Sequence, residues 1–292
     1  MKKAKPIVRS LIVEQLISSN SEESLAALST LAEAEDDKLQ EFFAGGGNVS
    51  HVLHYLDTAV EKIRANEVAA VFLAVEAVVS YVVRTEDSGA DGRPREVARL
   101  LVKKVLADYD KETVLLISGT NTAHQAKAVL RMLTSFVMLG SSQAREVLLR
   151  VSWSHDNWDT LYKRTSNKER PDVRTVFIQF LLSFLMDSDP LVLRDYLNTK
   201  TRLINLFSGM MQDQSGTVIM VLDTLKSRIL ENSSVNKTQR MKIFGSHSIK
   251  QILGLLKWTG GKKEDEDVDE GAREAVQETV VNFIKTLLGS KR

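Results

Sequence analysis

A metal or catalytic site in this chain would have to draw on five histidines, a few adjacent carboxylates and three tryptophans, because the sequence contains no cysteine. His51 and His54 lie three residues apart, a spacing that puts both imidazoles on one face of a helix. A zinc site needs at least one further protein ligand, and none stands at ligand spacing from them. His155 adjoins Asp156 in SWSHDNW, between Trp153 and Trp158. That pair could move a proton, yet the sequence supplies neither a nucleophile nor a pocket to go with it. Gly45-Gly46-Gly47 and Gly260-Gly261-Lys262-Lys263 look like phosphate-cradling loops. Both lack the preceding strand and the Gly-Lys-Ser/Thr that make such loops work, and they read as a helix stop and a linker. Asp36-Asp37 sits at a predicted helix start, where carboxylates favour the positive end of the helix dipole. These residues imply no catalytic group, no metal and no cofactor, and the expectation is a protein that is not an enzyme.

The cations are more informative. Lys163, Arg164, Lys168 and Arg170 crowd one short stretch, with Arg174 just inside the helix that follows and Trp158 and Tyr162 close by. Ammonium and guanidinium groups interleaved with aromatic rings suit phosphate contacts and base stacking. A second group lies in NKTQRMKIF, where Lys237, Arg240 and Lys242 are followed by Lys250. The net charge of +1 conceals a segregation along the chain. Residues 1–120 hold 14 Lys and Arg against 19 Asp and Glu, residues 121–258 hold 19 against 11, and residues 259–292 hold 6 against 8. A basic middle segment would attract a phosphate backbone by releasing its condensed counterions. The competing readings are a solvated outward face and a protein contact.

The elements that carry these residues all read as helices. Apolar residues recur at helical spacing from Ser21 onward, strand-like alternation is missing, and the four prolines fall at segment starts or in loops. Gly45 reads as a left-handed stop for the helix that begins near Lys38, and Asn48 and Asn66 read as caps of the next two. The apolar run Val68–Val83 is interrupted by Glu76 and reads as a buried helix, not as a membrane span. Shorter helices are expected at 111–118, 142–151, 158–165, 191–197 and 199–209, and longer ones at 172–186, 215–230, 237–244 and 246–258. The most apolar helices begin near Val68, Ala126, Val173 and Thr217, and the last two offsets fall close to the period of HEAT and armadillo repeats. Leu133-Thr134-Ser135-Phe136-Val137-Met138 recurs as Leu181-Leu182-Ser183-Phe184-Leu185-Met186. The helix from Val173 to Met186 is apolar nearly all round, save a narrow stripe of Thr175, Gln179 and Ser183 that would suit a peptide groove. A helix of that kind must be covered on most sides, which stacked helix pairs achieve. The expected fold is therefore all-α, an armadillo/HEAT-like α-solenoid of irregular helix pairs. It would span residues 1–258, with an acidic first half and a basic second half, followed by a charged linker at 259–271 and an amphipathic helix at 272–292.

From about Ala126 to Gly260 the chain resembles the N-terminal domain of the nucleolar pre-ribosomal-associated protein 1 family. The residues that carry the resemblance are Asp172, Val173, Arg174, Gln179, Phe180, Ser183, Phe184 and Leu185 in DVRTVFIQFLLSFL. Thr224, Leu225, Lys226 and Lys237-Thr238-Gln239 carry it further on, with WDTLYKRTS (Trp158–Ser166) and the LLKWTG ending at Trp258. The resemblance implies an armadillo-type fold and a nucleolar location. It implies a non-catalytic scaffold in assembly and rRNA processing of the large ribosomal subunit, with pre-ribosomal RNA and assembly factors, RNA helicases among them, as partners. It implies no membrane and no small-molecule substrate, and full-length members are much longer than this chain. An adaptor that holds only proteins is the alternative. Asp172 and Arg174 could equally serve the fold, through capping and a buried ion pair. Neutralising Lys163, Arg164, Lys168 and Arg170 together should weaken RNA binding in a filter-binding assay while leaving the helical circular-dichroism spectrum unchanged.

Overall fold

The computed structural model describes residues 10–61, 64–85, 92–109, 123–139, 171–186, 207, 209–260 and 269–289. Every regular element among them is helical, and the described residues contain no strand. The chain divides into two compact units, residues 1–164 and 165–292. The short helices expected at 111–118, 142–151, 158–165 and 191–197, and most of that at 199–209, lie outside the described residues.

The first unit is built on α6 (Ala65–Thr85), with α1 (Leu11–Leu16), α2 (Ser21–Ala32), α3 (Asp36–Ala44), α4 (Val49–Leu53) and α5 (Leu56–Glu61) before it. α7 (Gly92–Asp108) and α8 (Ala123–Met138) follow. α6 has the length and apolarity of a membrane span. Here it is a core helix: Val71, Phe72, Val75, Val78 and Val79 are fully buried, and α2 and α8 pack against it. Asn66 does not cap α6, which begins one residue earlier; its side chain accepts from Gln125 Nε2 at 2.7 Å and ties α6 to α8. Arg84 at the far end of α6 pairs with Asp36 at the start of α3, 2.6 Å away. The helix expected from Asn48 onward breaks at His54–Tyr55 into α4 and α5, and Tyr55 donates to Glu67 at 2.8 Å.

The glycine triplet is a helix stop of a stricter kind than expected. The left-handed residue is Gly46, at φ +89°, and not Gly45. Gly47 N–H donates to Phe42 O at 2.8 Å and Gly46 N–H to Phe43 O at 3.1 Å, the paired bonds of a Schellman motif. Gly47 is required for a different reason: a Cβ there would lie 2.4 Å from the Phe42 ring.

In the second unit, α9 (Pro171–Ser183) runs into a 3₁₀ turn at Phe184–Met186. α10 (Ser215–Leu225) passes into a π-helical turn at Lys226–Leu230, then come α11 (Lys237–Ile243), α12 (Ser246–Gly254) with a 3₁₀ turn at Leu255–Lys257, and α13 (Glu270–Gly289). Phe177, Phe180 and Phe184 from α9 and its 3₁₀ turn, Val218, Leu222 and Leu225 from α10, and Val276, Val280 and Phe283 from α13 are buried together in this unit. Phe244 packs edge-on against Phe283, ring centres 5.4 Å apart. The last helix is thus part of the unit's core and not an appendage. It begins at Glu270 because Asp269, placed in the expected linker, accepts from Ala272 N–H at 3.2 Å and caps it.

The recurring hexapeptide has a structural counterpart. Ser135 and Ser183 are both buried, and each hydroxyl donates to the carbonyl three residues back, Met132 O at 2.8 Å and Phe180 O at 2.6 Å. The following Phe136 and Phe184 are fully buried, and Met138 and Met186 end each copy exposed.

The two kinds of glycine should respond oppositely to a methyl group. Gly47→Ala should cost about 1–3 kcal/mol by overpacking against Phe42. Gly216→Ala, inside the first turn of α10 with nothing within 4 Å, should stabilise by about 0.5–1 kcal/mol. Urea midpoints followed by far-UV circular dichroism would read both.

Candidate functional site

The most distinctive surface is carried by α11 and α12. From Asn232 to Gly260 there is no aspartate or glutamate, whereas Lys237, Arg240, Lys242, Lys250 and Lys257 all fall within it. Local chemistry builds the support. Asn232 Oδ1 accepts from Ser234 N–H at 2.9 Å and turns the chain. Asn236 then starts α11 with a capping box: its side chain accepts from Gln239 N–H at 2.9 Å, and Gln239 Oε1 accepts from Asn236 N–H at 3.1 Å. Val235, Ile243, Phe244, Ile252 and Leu255 face the core. The opposite faces are left to Lys237, Thr238, Met241 and Lys242 on α11, and to Lys250, Leu253 and Lys257 along α12 and its 3₁₀ turn. Met241 is 65% exposed, Leu253 43% and Leu256 37%, so the surface mixes cations with aliphatic side chains.

A buried charge pair anchors this surface to the unit. Arg174 on α9 meets Asp213, just before α10, in a two-pronged contact: Nε to Oδ1 at 2.6 Å and Nη2 to Oδ2 at 2.9 Å. Both side chains are only 5% exposed. The Trp258 indole N–H, at the end of the α12 segment, donates to Asp213 O at 3.0 Å. Gly209, at φ +93°, lies beside the same guanidinium, which is 3.5 Å from where its Cβ would stand. Thr175 and Thr217 hydroxyls meet at 3.1 Å one turn away. α9 and the end of the α12 segment thus converge on one aspartate, Arg174 on its carboxylate and Trp258 on its backbone carbonyl.

The predicted contact residues separate accordingly. Lys237, Lys242 and Lys250 are exposed, as an anion-binding role requires. Arg240 is half-buried and its guanidinium donates to Asn232 O at 2.8 Å, so it holds the turn and offers little to a partner. Arg174 faces the core and is committed to Asp213, which removes it from the surface set. Lys163, Arg164, Lys168 and Arg170 lie outside the described residues. The stripe expected to form a peptide groove is largely turned inward: only Gln179 is exposed, Thr175 is half-buried against Thr217, and Ser183 is buried. Lys257, Met241, Leu253 and Leu256 were not singled out from the sequence. The uninterrupted absence of acids from 232 to 260 was the signal that would have extended the basic group to Lys257.

Two other features complete the inventory. Among the described residues no group of three His, Asp or Glu side chains is placed to hold a metal ion. Beside the π-helical turn an open groove of about 360 Å³ is lined by Met186, Asp223, Lys226, Ser227, Arg228 and Glu231. Ser227 Oγ donates to Asp223 O and Thr224 O, serving carbonyls where the helix widens. The groove carries both signs of charge and so favours neither an anion nor a cation.

The described residues thus form an all-helical protein in which α11 and α12 carry an acid-free cationic face. Comparison with known proteins narrows this. Residues 49–291 match the family described as "Ribosome 60S biogenesis N-terminal", and the chain belongs to that family. It is 29% identical to mouse nucleolar pre-ribosomal-associated protein 1 over 200 residues, which is 66% of this chain and 9% of that protein. The human protein of the same name is 31% identical over 195 residues, 64% of this chain and 8% of that protein. The chain therefore spans less than a tenth of the length of these relatives. Their names place them in the nucleolus and on the pre-ribosome, in line with the resemblance seen in the sequence. No solved structure matches the chain.

The clamp makes a sharp prediction. Asp213→Ala should destabilise the chain by about 3–5 kcal/mol, because it strands a buried guanidinium. The double change Arg174→Met with Asp213→Leu should cost markedly less. Urea unfolding of both variants beside the parent chain is the measurement.

Proposed function

We propose that this chain is a non-catalytic helical scaffold in assembly of the large ribosomal subunit. In this reading it works in the nucleolus and contacts pre-ribosomal RNA through its exposed cations. Family membership supports the process. The observation that carries the RNA contact is the acid-free face of α11 and α12, with Lys237, Lys242, Lys250 and Lys257 turned outward. Lysines gathered on a rigid support without intervening carboxylates are what binding to a phosphate backbone requires. Lys163, Arg164, Lys168 and Arg170 remain proposed contacts on the strength of their sequence alone. A solenoid of stacked helix pairs is the architecture we favour for the scaffold. The matched serine bonds and phenylalanines at Ser135–Phe136 and Ser183–Phe184 support it, since they repeat a whole helix end in each unit.

A second reading has its own support. Met241, Leu253 and Leu256 give the same face an aliphatic component that suits a protein partner, such as another assembly factor or an RNA helicase. The two readings separate in one experiment. Pre-ribosomal particles captured by the chain should be released by nuclease and by raised salt if RNA is the ligand. Capture that survives nuclease unchanged would instead establish the protein-only adaptor.

A further inference from the structure

We infer that the open N-terminus of α12 is a phosphate seat, where main-chain N–H groups and Ser248 hold one backbone phosphate of the RNA; this rests on the RNA-contact reading above. The first N–H groups of a helix find no carbonyl within it, and they gather the positive end of its dipole. At α12, a helix of nine residues, they belong to Ser246, His247 and Ser248, and no described residue accepts from them. The cap position is Gly245, which has no side chain to turn back on them. Neither backbone nor packing asks for glycine there. Its φ is −70°, which any residue adopts, and a Cβ would meet nothing nearer than Met241 O at 3.8 Å. Asparagine or serine would fit and would cap the helix. Glycine instead leaves the donors uncovered.

A second observation points to the same ligand. Ser248, the third residue of the helix, is 3% exposed, and its hydroxyl makes no hydrogen bond to any described residue. The oxygen is not sealed from solvent, so a group at the helix end can reach it. Helical side chains lean toward the N-terminus, which aims this hydroxyl at the orphan N–H groups. A nearly buried hydroxyl without a partner is unfavourable, and a phosphate oxygen would satisfy it. The surroundings select an anion. Lys250 stands one turn beyond Ser246 on the same face, with the exposed His247 beside them. Where α13 comes close, packed through Phe283 on Phe244, it carries no carboxylate from Thr279 to Gly289. Orphan N–H groups, a free hydroxyl and a lysine within one turn are the parts from which helix-end phosphate sites are made.

The test uses the whole 292-residue chain. Gly245→Asn supplies the missing cap without adding charge. It should raise the urea midpoint and lower affinity for a labelled oligouridine, followed by fluorescence anisotropy, about fivefold. Misfolding cannot produce that pairing of effects. Ser248→Ala, which removes only the hydroxyl, should lower the affinity about threefold. In the parent chain the backbone amide NMR signals of Ser246, His247 and Ser248 should shift when the oligouridine is added. Excess inorganic phosphate should shift the same signals and compete with the RNA. If Gly245→Asn binds oligouridine as the parent does, or if the three amides stay still, the inference fails while the chain's RNA contact stands. If inorganic phosphate moves those amides and bound oligouridine does not, the seat takes free phosphate and the inference fails for RNA. If the parent chain binds no oligouridine at all, the RNA-contact reading falls, and the inference falls with it.

Discussion

One charged pair, sealed from water, organises the second unit. Arg174 and Asp213 lie 39 residues apart in the chain and meet with almost no solvent contact. Their burial is tolerable only because the geometry is two-pronged. The same aspartate lends its backbone carbonyl to Trp258. One residue thereby locates the start of α10 and the end of the α12 segment against α9. The cationic face is a consequence of this arrangement. The core side chains of α11 and α12 are fixed inward, and the lysines have only the outside left to occupy.

The first unit solves the problem of cover differently. α6 is apolar enough to need burial on most of its circumference, and α2 and α8 supply it. Its side-chain hydrogen bonds and ion pairs to other helices lie near its ends, among them Asn66 with Gln125 and Arg84 with Asp36, where they set its position. Residues 10–61 carry ten carboxylates and the single cation Lys38, whose ammonium is held above its ordinary range by a hydrogen bond and charge contact with Glu41. The acid-rich start of the chain and the acid-free α11–α12 segment therefore differ in chemistry as well as in position along the chain.

Helical periodicity made most of the fold legible. α2, α6, α8 and α9 lie within a few residues of their expected places because their apolar spacing is long and unambiguous. What eluded the sequence was decided by tertiary contact. Asn66 has the right side chain for a cap, but Gln125 outcompetes the backbone for it. Gly45 and Gly46 are indistinguishable by type, and only the Schellman bonds choose between them. Arg174 reads in the sequence either as a surface cation or as half of a buried ion pair, and the partner that decides between them lies too far along the chain for spacing to reveal. For the candidate face, residue type was enough to find Lys237, Lys242 and Lys250. Exposure of Met241 and Leu253 depends on which way each helix is turned, and composition does not report that.

The π-helical turn at Lys226–Leu230 carries one residue more than an α-helical turn of the same height would hold. It lets Ile229 and Leu230 both reach the interior while Ser227 and Arg228 stay outside. Removing that one residue would restore ordinary winding over the same height and leave the flanking residues facing as they do. The stretch would then send one aliphatic side chain inward where it now sends two, Ile229 and Leu230. The outer part of this helix can therefore change its length by one residue without redirecting the chain that leads to the cap at Asn236, which an ordinary helix could not do.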